Sequence, residues 1–526
     1  MVALLCSVGA SPTHADARAR NDDVVNTEGG LVRGRVTTEH RIFEGVPYAA
    51  PPKGQLRWSA PQPVQPWTGI RDATSPGSPC PQLPSQISPI SSEEEDCLFV
   101  NVTVPRGGDP AAKPVMVWIH GDGAVGAGHF FDPRRLTADG DVIVVTVNYR
   151  LGLFGGFGLP GLQGSGTFQL QDQQAAMRWV RSNIAAFGGD PRNVTLFGVS
   201  YGATATSAHL TAPQSRGLFD RAILESGFAL MNMLPESIAP GSPGLPWWAW
   251  RTEPETDQTG LTVARELGCG QVDPAAVLAC MRALPVKTLL GYPQVMQIFQ
   301  QMAYGGSTLP ELPALALRGG RFHQMPIMAG GTRDEHRTWV GLLRDGIGQP
   351  VTADQYPTLL AKAFGLQNVP AIEQRYPLNN AETPSITWAT VLTDATWARR
   401  TQELNELFAA KMPTYAYEFA DRNAPSYLPF PPGFPAGAYH AADTPYTFRD
   451  AKFTESATPE QIALSDKMIK YWGNFARNGH PNGTGVPTWP EFDANSPTVQ
   501  SLAPEQIGPI DYATAHKYDF WRRSSA

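Results

Sequence analysis

Residues Thr195 to His209 read TLFGVSYGATATSAH, and within them Gly198, Ser200 and Gly202 stand at alternate positions. A serine hydroxyl is a weak nucleophile. It attacks a carbonyl carbon only when a base takes its proton and nearby donors hold the tetrahedral oxyanion. Glycines two residues to either side permit the sharp, strained strand-to-helix turn that lifts such a hydroxyl above a sheet edge. In a chain with 51 glycines the spacing alone recurs by chance, so the context decides. Before it VTLF reads as a strand, and after it ATATSAHLTA can be helical. The stretch is expected to be a nucleophile elbow, with Val199 and Tyr201 beside the serine.

An elbow needs a sheet beneath it. Pro114–Gly121, Asp141–Arg150, Asn193–Gly198, Arg221–Gly227 and Met325–Gly331 are short, β-branched and almost continuously apolar, as buried strands of a mostly parallel sheet are. Between the second and third, Asp172–Phe187 predicts a helix with Ala176, Val180, Ile184 and Phe187 on one face. Gln173, Arg178, Arg181 and Ser182 lie off that face, Asp172 is placed to cap the start, and Gly188 to Pro191 ends it. Strand, helix, strand and a glycine-flanked serine imply an α/β fold with its active site at the carboxyl edge of the sheet. Proline- and glycine-rich connections at Pro51–Pro66, Cys80–Pro89, Ala239–Pro254 and Tyr427–Pro435 are expected to build a lid or pocket wall. The chain shows no internal repeat.

Composition narrows the function. With 42% hydrophobic and 17% charged residues the chain is globular, and a net charge of −7 gives no basic footprint for nucleic acid. Its 526 residues suggest about three or four domains by length. The motifs nevertheless run as one series without a linker, so residues 18–526 are read as a single domain. No apolar run reaches membrane-spanning length. Val2–Ala10 followed by Ala15-Asp16-Ala17 reads as a shortened secretory leader over residues 1–17, without a basic start, and implies a secreted or periplasmic protein. Cys6 lies in that patch. Cys80, Cys97, Cys269 and Cys280 have no CxxC spacing, so no metal is expected. They fall into two local groups suited to short stapled loops, with three connectivities open.

The blocks GLVRGRV, FEGVPYAAPPKGQLRW, EDCLFVNVTVP, VVTVNYRLGLFG, LQDQQAAMRWVRSNIAAFGGDPRNVTLFG, FDRAILESG, GGTRDEH, GAYHAADTPYTF, WGNFARNGHPN and HKYDFW occur in this order. By them the chain resembles the type-B carboxylesterases, the cholinesterase-like branch of the α/β-hydrolases, over nearly its whole length after residue 30. The resemblance implies an α/β-hydrolase fold. That fold is a large, mostly parallel central sheet flanked by helices, with long loops and helical insertions around an active-site gorge. It makes Glu335 of GTRDEHR the triad acid and His440 of GAYHAAD the base, in the chain order Ser200, Glu335, His440. Asp334 is the alternative acid, and His336, His480 and His516 are the other histidines that come after it in the chain. His40, His129, His209 and His323 default to structural or surface roles. Ser226 of ESG is implied to lie near the acid as supporting structure. The resemblance also favours the pairs Cys80–Cys97 and Cys269–Cys280.

Three positions depart from the family pattern. The oxyanion-hole glycine block reads His120-Gly121-Asp122-Gly123, which makes the backbone amides of Asp122, Gly123 and Tyr201 the expected donors. A carboxylate at roughly 5 Å in an effective dielectric of about 20 would oppose an oxyanion by about 3 kcal/mol, so the Asp122 side chain must point away. The usual glutamate before the serine is Val199, and Asp122 is expected to place its charge near the vacated space. Tyr201 replaces a small residue, and its ring must either insert behind the elbow or narrow the pocket.

The segment SGFALMNMLPESIAPGSPGLPWWAW resembles the family's acyl-pocket segment and nominates Trp247 or Trp248 as a wall, with Val199, Phe299, Met302 and Tyr304 as further candidates. The loop between Cys80 and Cys97 contains no aromatic residue, so the family's ring for a quaternary ammonium is missing there. The expected activity is hydrolysis of uncharged, hydrophobic small-molecule esters through an acyl-enzyme on Ser200, with no metal or organic cofactor. Acyl transfer or ring closure from the same acyl-enzyme, and a non-catalytic binding role, are the alternatives. The oligomeric state stays open.

Overall fold

The computed structural model describes residues 23–85, 88–108, 112–379 and 382–523, so the leader assigned to residues 1–17 lies outside the described residues. Eleven strands form the main sheet: β1 Arg35–Val36, β2 His40–Pro47, β3 Phe99–Pro105, β4 Lys113–Ile119, β5 Ile143–Val147, β6 Gly189–Val199, β7 Arg221–Glu225, β8 Ile327–Thr332, β9 Thr414–Phe419, β10 Val499–Leu502 and β11 Ile507–Ile510. Their spatial order is β11-β10-β9-β8-β7-β6-β4-β5-β3-β2-β1. The run from β10 to β5 is parallel, and the strands beyond either end of it pair antiparallel. The five apolar runs expected to be strands all lie in this parallel centre.

Period-two alternation divides the central strands between two cores. Val115, Val117, Ile119, Leu196 and Leu224 face one cluster, while Met116, Trp118, Phe197, Val199 and Ile223 face the other. Helices α1 Phe168–Asn183 and α2 Tyr201–Thr211 cover the first face, and α5 Pro459–Asn478 covers the second. Between them in sequence, α3 Pro384–Leu392 and α4 Arg399–Ala409 are joined by a π-helical turn at Thr393–Ala398.

Chain reversal at β4 fixes where a site can form. From β4 the chain moves to β5 on one side and then to β6 on the other, and in parallel sheets the crevice outside such a reversal receives ligands. Ile119, the last residue of β4, pairs in register with Gly198. The loop after β4 therefore meets the turn after β6.

Helix α1 begins four residues earlier than its apolar stripe suggests, and Asp172 does not cap it. Asp172 is fully buried inside the helix and holds Arg150 through Nε and Nη2, each at 2.7 Å, and accepts the Arg150 backbone N–H at 3.1 Å. Gln173, expected off the buried face, is buried too and bonds the His209 ring at 2.8 Å. Both residues look solvent-facing only while their partners, distant in sequence, are unseen. Removing one partner of such a buried pair costs about 3–5 kcal/mol. Arg150→Met is expected to lose about that much stability in urea denaturation, and adding Asp172→Leu to recover most of it.

Candidate active site

Ser200 joins β6 to α2 with φ 57° and ψ −118°, a left-handed conformation that the surrounding backbone enforces. Its N–H bonds the Glu225 carbonyl at 2.8 Å. The flanking glycines serve close approach rather than positive φ. A Cβ on Gly198 would sit 2.6 Å from the Ile119 carbonyl oxygen, and one on Gly202 would overlap the same atom.

The three residues of the expected triad converge. His440 Nε2 lies 2.8 Å from Ser200 Oγ, and His440 Nδ1 lies 2.5 Å from Glu335 Oε2. Glu335 is 2% exposed, and its other oxygen accepts the Thr332 N–H at 2.8 Å. Thr338 Oγ1 accepts the His440 N–H at 3.0 Å. Glu335 follows β8 and Ser200 follows β6, so two near-central strands present acid and nucleophile at the same edge.

The competing residues are placed elsewhere. Asp334 is tied to Arg422 at 2.8 Å and to Arg337 at 3.2 Å. His336 is buried, receives the Trp397 indole N–H on Nδ1 at 3.1 Å and reaches the Ser237 carbonyl through Nε2 at 2.7 Å. Burial holds it down to about 4, so it stays neutral. Ser226 has φ 53° and a buried hydroxyl without a partner, close enough to Glu335 that a Cβ on Gly331 would touch both side chains.

The loop after β4 is more constrained than its sequence suggests. Asp122 has φ 71°, and its Oδ1 accepts the N–H groups of Ala124 at 2.9 Å and Val125 at 3.2 Å. Its carboxylate is thus spent on its own loop. It does not fill the space beside Val199: it acts on Tyr149 and Tyr201 in the first core, whereas Val199 packs with Trp118 and Phe197 in the second. The acid on Val199's face is Glu225, its register partner on β7.

Of the three expected donors, Tyr201 follows the serine and Asp122 follows Gly121, on which a Cβ would lie 3.2 Å from Ser200 Cβ, while the Gly123 N–H is bonded to the Gly121 carbonyl at 3.0 Å. The cause of that tight turn is the positive φ at Asp122. Gln300 Nε2 donates to the Asp122 carbonyl. Gln82 accepts the Gly126 N–H at 2.9 Å and donates to the Gly126 carbonyl at 3.0 Å. Gln82 lies just past Cys80, which pairs with Cys97; the second disulfide joins Cys269 to Cys280.

Tyr201 inserts behind the elbow. Its ring is 3% exposed, lies against Gly123, and its hydroxyl accepts the Gln169 side-chain N–H at 3.2 Å. Trp248 stacks on Phe228 at 4.7 Å and meets Trp339 and Trp397, whereas Trp247 turns to Arg318, whose guanidinium lies 5.3 Å from its ring. Val199 and Phe299 are 5% and 1% exposed, the latter packed against Phe157 in the core, and Met302 is buried in β-structure beside Trp250. Trp339 and Trp397, which sequence reasoning missed, each lie 4.8 Å from the His440 ring. Neither stands in a motif.

The π-turn that carries Trp397 is anchored from the far side. His516 lies 2.6 Å from Asp394 on that turn and 2.5 Å from Glu418 on β9, so both ring nitrogens donate and the ring is cationic. Burial opposes that charge, but Glu418 and Asp394 outweigh it and raise His516 to about 9.

A sequence profile of the carboxylesterase family matches residues 21–521. The chain belongs to the carboxylesterase family. This carboxylesterase is 31% identical to mouse (Mus musculus) pyrethroid hydrolase Ces2a, over 97% of this chain and 93% of that one. It is 32% identical to human (Homo sapiens) cocaine esterase, over 92% and 87%. A solved thermophilic PNB esterase superposes with a TM-score of 0.76 at 29% identity, covering 95% of this chain and all of that one. The carboxylesterase is accordingly a carboxylic ester hydrolase with the α/β-hydrolase fold. The relatives favour neither acyl transfer nor a non-catalytic role.

Two measurements check this geometry. Asp122→Asn can keep both loop bonds and should hold kcat/KM within about twofold, whereas Asp122→Ala, losing two bonds of about 1 kcal/mol each in a left-handed position, should lower it by about tenfold or more. A histidine raised on folding contributes stability that is full below its ordinary value of 6.5 and is lost as the pH rises through 9. Urea midpoints should fall across that window, and His516→Gln should flatten the fall.

Proposed function

We propose that the enzyme hydrolyses uncharged, hydrophobic carboxylic esters through an acyl-enzyme on Ser200. The observation that carries this reading is the unbroken hydrogen-bond chain from Ser200 through His440 to Glu335. As the hydroxyl attacks the ester carbonyl, His440 Nε2 takes its proton, and Glu335 holds Nδ1–H and stabilises the imidazolium. Collapse of the tetrahedral intermediate returns that proton to the leaving alcohol. Water then repeats the sequence on the acyl-enzyme and frees the acid. The amides of Asp122 and Tyr201 receive the oxyanion, joined by the Gly123 N–H when it leaves the Gly121 carbonyl.

Trp339, partly exposed beside His440, and Trp248, partly exposed against Trp339, offer indole surface over the buried Trp397, which suits apolar acyl or alcohol groups. Two relatives are named for a pyrethroid and for cocaine, and bulky esters are candidates here as well. We read residues 18–526 as one catalytic domain acting on small molecules, secreted or periplasmic. The two disulfides support that location, and no helix among the described residues is long and apolar enough to cross a membrane.

A fluorophosphonate probe should label the wild type on Ser200 and leave Ser200→Ala unlabelled. With nitrophenyl esters kcat should fall by about 10⁶-fold in Ser200→Ala and about 10⁴-fold in Glu335→Gln. Equal labelling of wild type and Ser200→Ala would overturn the assignment.

A further inference from the structure

Behind the triad lies a second acid centre. Glu225, the last residue of β7, and Asp443, three residues beyond His440, are each 1% exposed. Glu225 Oε1 accepts the Trp472 indole N–H from α5 at 2.7 Å, and Asp443 Oδ2 accepts the Tyr417 hydroxyl from β9 at 3.0 Å. The remaining oxygen of each, Glu225 Oε2 and Asp443 Oδ1, is buried without a hydrogen-bond partner.

Asp443 and the Trp472 indole act on Glu225, and Glu335, Tyr417 and His440 act on Asp443; no arginine or lysine is among them. Two buried carboxylates that interact without a counter-ion do not both ionise. A single proton removes one charge and supplies a donor, which two orphaned acceptors lack.

We propose that Glu225 is a neutral carboxylic acid which donates its proton toward the Asp443 carboxylate and, by fixing Asp443, positions the His440 loop and keeps one negative charge behind the catalytic imidazole. Asp443 keeps the charge because it stands three residues from His440 on the loop where an imidazolium forms, whereas Glu225 stands on β7. The titration behaviour agrees. Burial and then the Asp443 charge push Glu225 well up, while burial and then the Glu335 charge bring Asp443 to about 6. The Val199 side chain, in register with Glu225 on the same face, keeps a third acid out of this space.

Glu225 acts through Asp443 and touches no reacting atom, so it is a positioning residue. The inference rests on the reading of His440 as the base, but one readout is independent of turnover. Infrared difference spectra of the wild type should contain the carbonyl band of a buried protonated carboxyl that Glu225→Gln removes, a result that holds whether or not the triad assignment does. In kinetics, Glu225→Gln, whose amide can still accept from Trp472 and donate to Asp443, should keep kcat/KM within about twofold with its acidic limb unmoved. Glu225→Leu, which withdraws the donor, should lose about tenfold and be rescued by glutamine. Asp443→Asn removes the charge that favours an imidazolium and should move the acidic limb of kcat/KM to lower pH. Retention of the carboxyl band in Glu225→Gln, or an acidic limb displaced in Glu225→Gln as in Asp443→Asn, would overturn the proposal. So would an unchanged Glu225→Leu. If the leucine variant fails to fold, the glutamine variant still decides.

Discussion

The site depends on how closely two backbones approach. Strands β4 and β6 run parallel and adjacent at the point where the chain reverses its direction of winding, and the Ile119 carbonyl presses against Gly198 and Gly202. No side chain fits between them. This contact forces Ser200 out of the sheet at φ 57° and brings the His120–Gly123 loop beside it, so the proposed nucleophile and oxyanion donors are placed by main chain. Main-chain placement costs no reorganisation during reaction, which is where an electrostatic site gains most of its effect. The strain at Ser200 is carried by a sheet of eleven strands.

Charge is sorted by the two faces of that sheet. On one face the Asp122 carboxylate is enclosed by its own loop, next to Tyr149 and Tyr201. On the other, Glu335, Asp443 and Glu225 are held by the Thr332 amide, the Tyr417 hydroxyl and the Trp472 indole respectively. A substitution pattern that looks like one charge moved from position 199 to position 122 is two separate arrangements, because the Asp122 carboxylate is bonded within its own loop and Val199 packs in the second core. The turn at Ser200 decides this: Val199 ends β6 in one core, and Tyr201, beyond the turn, starts α2 in the other.

Much of this was legible in the sequence, for identifiable reasons. The five central strands announce themselves because both their faces are buried and their apolar runs are unbroken. Ser200, Glu335 and His440 stand in blocks whose spacing carries the chemistry. The rest depends on partners distant along the chain. Asp172 reads as a cap until Arg150 lies against it, and Gln173 reads as exposed until His209 does. Trp339 and Trp397 reach His440 from a short helix and an irregular turn, so no periodicity points to them. The Gly123 amide illustrates another limit: glycine at that position says nothing of whether its N–H is free.

The π-helical turn at Thr393–Ala398 sets a rule about chain length. A π-turn holds one residue more than the α-helical turn it replaces, and each residue of a helix advances by about 100°. Deleting one residue here would let α3 and α4 run together as a regular helix and swing α4 by about that angle. Thr393, Asp394 and Trp397, which face His336, His516 and His440, could then not all keep their partners. Over evolution this segment should tolerate changes of residue better than changes of count, the reverse of the proline-rich loops around the site.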